Sequence, residues 1–179
     1  FWLIKLMAVT MGETAADYLA VNLGLGLTAT SLIMAAVLIG ALVLQFGQKR
    51  YVPWSYWLAV VLISIVGTLV TDNLVDNFGV SLVTTTVAFT LALIATFAGW
   101  YASERTLSIH SIRTTRREAW YWLAILFTFA LGTAAGDLVA EHFGLGYLST
   151  GILFGLIIAS LTVGYYVLDL DPILGFWLA

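Results

Sequence analysis

"FWLIKLMAVTMGETAADYL", residues 1–19, is an apolar run that nevertheless holds Lys5, Glu13 and Asp17. Glu13 and Asp17 are four apart, so a helix sets both carboxylates on one face. Whether that face lies in water or in lipid depends on the rest of the chain. Of its 179 residues, 61% are hydrophobic and 9% are charged. Soluble domains carry about 25% charged residues. Mean hydropathy is +1.01. The apolar runs are long enough to cross a bilayer, which takes roughly 20 residues per helix. The expectation is an all-α, polytopic transmembrane helical bundle, since the backbone must satisfy itself in lipid and the runs are too long for barrel strands.

Six spans can be read, over residues 1–23, 28–46, 54–77, 83–103, 120–142 and 147–168, with a seventh opening near Pro172. Lys49 and Arg50 lie between spans two and three, and Arg105, Arg113, Arg116 and Arg117 between spans four and five. The opposite links, "GLGL" from Gly24, "GVSL" from Gly79 and "GLGY" from Gly144, carry no base. The positive-inside rule then places the N-terminus and both basic loops in the cytoplasm. Asp169 and Asp171 fall on the same side, but acids contribute little to that rule.

A repeat organises the chain. With Trp2, Trp57 and Trp122 as origins, Gly12, Gly67 and Gly132 follow ten residues on, and Asp17, Asp72 and Asp137 fifteen on. Asn22, Asn77 and His142 follow at twenty, Gly24, Gly79 and Gly144 at twenty-two, and Thr30, Thr85 and Thr150 at twenty-eight. The repeats cover residues 1–47, 54–103 and 119–168, and a fourth opens over 172–179, where Trp177 lies 55 past Trp122. The chain opens at Phe1 and stops inside "PILGFWLA", so both ends read as incomplete. A continued chain is expected to place a small residue ten past Trp177 and an acid fifteen past it. Two spans per unit give every unit the same orientation, so the repeats are parallel, not inverted.

The stretches "FWLIKLMAVTMGETAADYL", "YWLAVVLISIVGTLVTDNL", "YWLAILFTFALGTAAGDLV" and "GFWLA" resemble a bacterial membrane-protein family of tandem two-span repeats, catalogued as domain of unknown function 347. The resemblance covers essentially the whole chain. It implies a multi-pass protein of the bacterial inner membrane, built as three repeats and the start of a fourth, and it implies no activity. Function must come from the residues of the site.

Six of the ten acids lie within spans: Glu13, Asp17, Asp72, Asp76, Asp137 and Glu141. Steps of four set them in a stripe on each odd-numbered span, with Thr68 and Thr133 where the first span has Glu13. Of the seven bases only Lys5 lies within a span, near its basic end. A central carboxylate costs at least ~2.5–3.5 kcal/mol on insertion scales, so the stripe has to be answered by protons, a cation or water. Three readings follow. The acids are protonated glue between helices, a cation site or path, or a proton relay. Asp17, Asp72 and Asp137 are the candidate metal ligands, and a divalent cation is the cofactor such oxygen ligands would take.

Thr30, Thr85 and Thr150 read as N-caps of the even spans, or as hydroxyl ligands beside the acids. Gly12 with Ala16, Gly67 with Thr71, and Gly132 with Gly136 read as small-residue pairs that let helices approach. The repeated Trp residues read as interface anchors, and Gly24, Gly79 and Gly144 as turn or C-cap residues. Nothing points to an enzyme, for there is no HExxH, GxSxG, phosphate loop or cysteine. No basic patch points to nucleic acid. The expected surroundings are the bilayer, with a membrane-protein partner or a second copy as further contacts. The two functional expectations are a small-cation transport or binding protein, and a structural or accessory membrane subunit.

Overall fold

The computed structural model describes residues 2–48 and 50–179, with Trp2 described by its backbone alone. Lys49, used for the orientation, and the Trp2 side chain, read as an anchor, lie outside the described residues. Among the described residues seven α-helices run in order: α1 (Trp2–Asp17), α2 (Leu27–Phe46), α3 (Pro53–Asp72), α4 (Leu82–Glu104), α5 (Thr115–Asp137), α6 (Tyr147–Val167) and α7 (Pro172–Leu178). No strand occurs among the described residues.

The helix boundaries have local chemical causes. Pro53 and Pro172 open α3 and α7, where a missing N–H costs nothing. Ser81, Thr114 and Asp171 cap α4, α5 and α7 by accepting from backbone N–H groups of the first turn. Gly26 and Gly146 precede α2 and α6 with φ of +75°, a conformation a side chain resists.

Among the described residues five helical segments are long and apolar enough to cross a membrane: Leu27–Phe46, Pro53–Asn77, Leu82–Glu104, Thr115–His142 and Tyr147–Val167. The chain is an integral membrane protein. The first of the six expected spans stands apart, because Lys5, Glu13 and Asp17 all fall within it. The expected opening of a seventh span near Pro172 is helical, as α7.

The first helices of the three repeats stand in a row, with α3 between α1 and α5. Along their lengths, α2 packs on α3 and α4 on α5, so each second helix leans on the first helix of the next repeat. Two helices of one repeat meet chiefly at their far ends. As a result α3 is buried on most sides, while α6 presents an almost wholly exposed apolar surface.

Hydroxyls tie the row together. Ser64 Oγ donates to Val61 O at 2.8 Å and reaches Ala8 O on α1 at 3.3 Å. Thr71 Oγ1 donates to Ala130 O on α5 at 3.0 Å. Such interhelical bonds stand in for a hydrophobic drive that lipid does not supply. The small-residue reading holds at Gly12, whose face meets Ser64, and at Gly67, whose face meets Phe129 and Ala130. It does not hold at Gly132 or Gly136. No atom lies within 4 Å of where their Cβ would stand, because no described helix packs on that face of α5.

Candidate functional site

Each helix of the row changes its winding just past the repeated aspartate. The α-helix ends at Asp17, Asp72 and Asp137, and a five-residue π-helical turn follows: Tyr18–Asn22, Asn73–Asn77 and Leu138–His142. Leu23 N bonds Tyr18 O at 3.0 Å, Phe78 N bonds Asn73 O at 3.0 Å, and Phe143 N bonds Leu138 O at 3.0 Å, all five residues apart. Gly24, Gly79 and Gly144 then reverse the chain at φ of +67°, +67° and +71°, as their turn reading requires. π turns are rare and recur at functional sites.

The π turns correct the idea of one α-helical stripe. Steps of four hold a face only while the backbone bonds run i to i+4. Past each aspartate the bonds run i to i+5. Asp76 and Glu141, four on, and Asn77 and His142, five on, therefore flank the line of their aspartate instead of continuing it.

The six acids are nevertheless gathered. Asp72 lies within electrostatic range of Asp137, Asp17, Asp76 and Glu13, and Asp137 within range of Glu141, Glu13, Asp76 and Asp17. Asp72 and Asp137 are half-buried, and Glu13, Asp17, Asp76 and Glu141 are exposed. Among the described residues ion pairs join Glu104 to Arg116 and Arg117, and none includes these six acids. Glu141 accepts a hydrogen bond from the Tyr147 hydroxyl. The Lys5 ammonium lies over the ring of Phe176, 5.5 Å from its centre. Among the described residues, no three Asp, Glu, His or Cys side chains converge closely enough to hold a metal ion. Asp17, Asp72 and Asp137 thus share a neighbourhood without forming a chelate.

The threonines do not cap. Gly26, Ser81 and Gly146 are the N-caps, and Thr30, Thr85 and Thr150 stand four residues later. Their N–H groups donate to the cap carbonyls at 3.1, 2.9 and 3.1 Å. All three are buried, at 1%, 1% and 5% exposure. Thr85 Oγ1 donates to Ser81 O at 3.1 Å, while the hydroxyls of Thr30 and Thr150 have no partner among the described residues. No hydrogen bond joins any of the three to an acid among the described residues.

Paired residues from equivalent positions link α3 to α5. Thr68 and Thr133 hydroxyls meet at 3.2 Å, one turn from the aspartates. Nearer the basic end, Tyr56 and Tyr121 hydroxyls meet at 2.6 Å with their rings stacked. Beside that pair, side chains of α1, α3 and α5 enclose a void of about 10 Å³. This is about the space of one water. Its walls include Lys5, Val60, Ile125 and Phe129.

Three features escaped the sequence reading. Asn73 donates to Ser31 Oγ at 2.6 Å and to Leu69 O at 2.8 Å, and accepts from Thr28 and Asn77, which clamps the second π turn to α2. At the basic end Glu118 Oε1 accepts from Gln45 Nε2 at 2.9 Å and from Trp122 Nε1 at 3.2 Å, and Ser55 Oγ donates to Gln45 at 2.7 Å. The third feature is a cavity of about 680 Å³ beside this cluster. Trp122 is only 3% exposed, packed against Tyr56 and Tyr121, so it joins successive repeats and is no interface anchor. The signal for the tyrosine pair was present, since "YW" recurs at Tyr56 and Tyr121 one residue before the repeated tryptophan.

No curated protein and no solved structure matches this chain. The model of the Repeat of Unknown Function (DUF347) matches it three times in tandem, over residues 1–51, 55–106 and 120–170. On those three matches the chain belongs to the DUF347 repeat family.

Proposed function

We propose that this chain is a non-enzymatic protein of the bacterial inner membrane that binds or passes small cations through its gathered carboxylates. The observation that carries the reading is the convergence of six acids from three equivalent helices, with no cation paired to them among the described residues. Intramembrane acids mark ion pathways and proton relays. Within the set Asp72 and Asp137 are half-buried, and Glu13, Asp17, Asp76 and Glu141 are exposed. The wide spacing of the acids among the described residues favours a proton, or a cation that keeps its water, over a dehydrated metal ion. Arg50 and Arg113 line one cavity, which sets the two basic loops side by side and supports placing both in the cytoplasm.

The test is the triple change Asp17→Asn, Asp72→Asn, Asp137→Asn in reconstituted liposomes. Proton entry is read with an internal pH dye, and Mn²⁺ entry by quenching of a trapped chelating fluorophore. Flux in the parent and its loss in the triple variant support the reading. A parent without flux, or a triple variant with parental flux, removes it.

A second reading, an accessory subunit in which the acids serve association, is favoured by the almost bare apolar surface of α6. It predicts that the parent purifies as a stable complex from native membranes and conducts nothing alone.

A further inference from the structure

The cavity at the basic end is separate from the acids and has the opposite charge. Its volume, about 680 Å³, falls within the usual range for small-molecule sites. Arg50 comes from the link before α3 and Arg113 from the link before α5, and both line the cavity. Both are exposed, and neither enters an ion pair or hydrogen bond among the described residues. The other arginines of that loop behave differently, since Arg116 and Arg117 are committed to Glu104. The acid of the lining, Glu118, already accepts from Gln45 and Trp122. Two arginines against one acid leave a positive lining.

The remaining wall is aromatic and apolar. Tyr51 and Tyr56 stand 5.6 Å apart between ring centres, and Tyr56 and Trp122 5.4 Å. Ile112 and Phe176 complete the apolar side. Guanidinium forks recognise carboxylate and phosphate oxygens, and aromatic rings accept a flat or alkyl body. We infer that this cavity binds an amphiphilic organic anion, with its carboxylate or phosphate at Arg50 and Arg113 and its apolar body along Tyr56, Trp122 and Phe176. The same chemistry is offered by an anionic phospholipid headgroup with its chains and by a free aromatic or fatty acid.

Calorimetry on the full chain in dodecyl maltoside uses 2-naphthoate as probe and 2-naphthalenemethanol as its neutral counterpart. The parent should bind the anion and bind the alcohol far more weakly. Arg50→Gln with Arg113→Gln should weaken naphthoate binding by roughly tenfold or more, while Arg116→Gln should leave it unchanged. Native mass spectrometry from phosphatidylcholine nanodiscs, with and without phosphatidylglycerol, separates the sources. Phosphatidylglycerol retained by the parent, lost from the double variant and displacing naphthoate identifies lipid. Naphthoate binding that phosphatidylglycerol leaves unchanged identifies a free acid. No binding of either probe overturns the inference, as does equal binding of acid and alcohol or a double variant that binds like the parent. The melting temperature of the double variant, expected at the parental value, shows that its fold is retained.

Discussion

Adding one methyl group at Gly67 should loosen the bundle, while the same change at the equivalent Gly132 should not. A Cβ at position 67 would stand 2.9 Å from Phe129 Cβ and 3.1 Å from the Ala130 nitrogen. Ordinary Cβ contacts begin at 3.4 Å, so α3 and α5 must part by about half an ångström. Neither neighbour can turn away, since one is a Cβ and the other is backbone. Overpacking of this kind costs about 1–3 kcal/mol. The same separation stretches the 3.0 Å bond from Thr71 Oγ1 to Ala130 O, itself worth about 1 kcal/mol. Alanine's better helix propensity offsets up to about 1 kcal/mol. The net expectation for Gly67→Ala is a loss of about 1–3 kcal/mol. At Gly132 no atom stands within 4 Å, so only the propensity gain remains, about 0.5–1 kcal/mol. Reversible unfolding in mixed micelles with rising dodecyl sulfate fraction, followed by far-ultraviolet circular dichroism, measures both. A Gly132→Ala loss as large as that of Gly67→Ala would refute the reasoning and show that face of α5 to be covered. A neutral Gly67→Ala would refute it equally.

The hydroxyl pair of Tyr56 and Tyr121 predicts strong coupling. Each single change to Phe should cost about 1–2 kcal/mol, and the double change little more than either, in a double-mutant cycle by the same unfolding assay. Asn73→Ala should cost about 1–3 kcal/mol and lower hydrogen-exchange protection in the first turn of α2, because Thr28 and Ser31 each lose a bond that ties them to the end of α3. Protection unchanged in that turn would exclude the clamp. Glu118→Ala strands Gln45 Nε2 and Trp122 Nε1 together, so a loss of about 2 kcal/mol is expected, with a shift in tryptophan emission. Glu118→Gln keeps an acceptor oxygen and should lose less; equal losses would argue against the hydrogen bonds.

The repeat made most of the architecture legible before any coordinates. Positions equivalent to Gly12 and Asp17 could be lined up by counting from the tryptophans, and Gly24, Gly79 and Gly144 turn as their place in the unit demands. What could not be seen was winding and separation. An apolar segment looks alike whether its bonds close over four residues or five, so the turns beginning at Tyr18, Asn73 and Leu138 were hidden. The five-residue step from Asp17 to Asn22, repeated from Asp72 to Asn77, matches those turns in retrospect. The threonines misled because a hydroxyl near a helix start usually caps, whereas Gly26 and Gly146 here supply the entry by backbone conformation alone. Whether Asp17, Asp72 and Asp137 chelate depends on the distance between three helices, which no spacing within a helix encodes.

The central place of α3 has a consequence for how the three copies can diverge. Thr68 is 6% exposed and its hydroxyl is matched to Thr133, so a carboxylate there would be pressed against a neighbouring helix. The equivalent residue on α1 is Glu13, on an outer member of the row, where the side chain is exposed. One ancestral cassette thus meets three different degrees of confinement. At this one position the middle copy carries a small hydroxylated side chain against its neighbour, while the flanking α1 carries a charge. Confinement by neighbouring helices thus sets which of the three equivalent positions can hold an exposed charge.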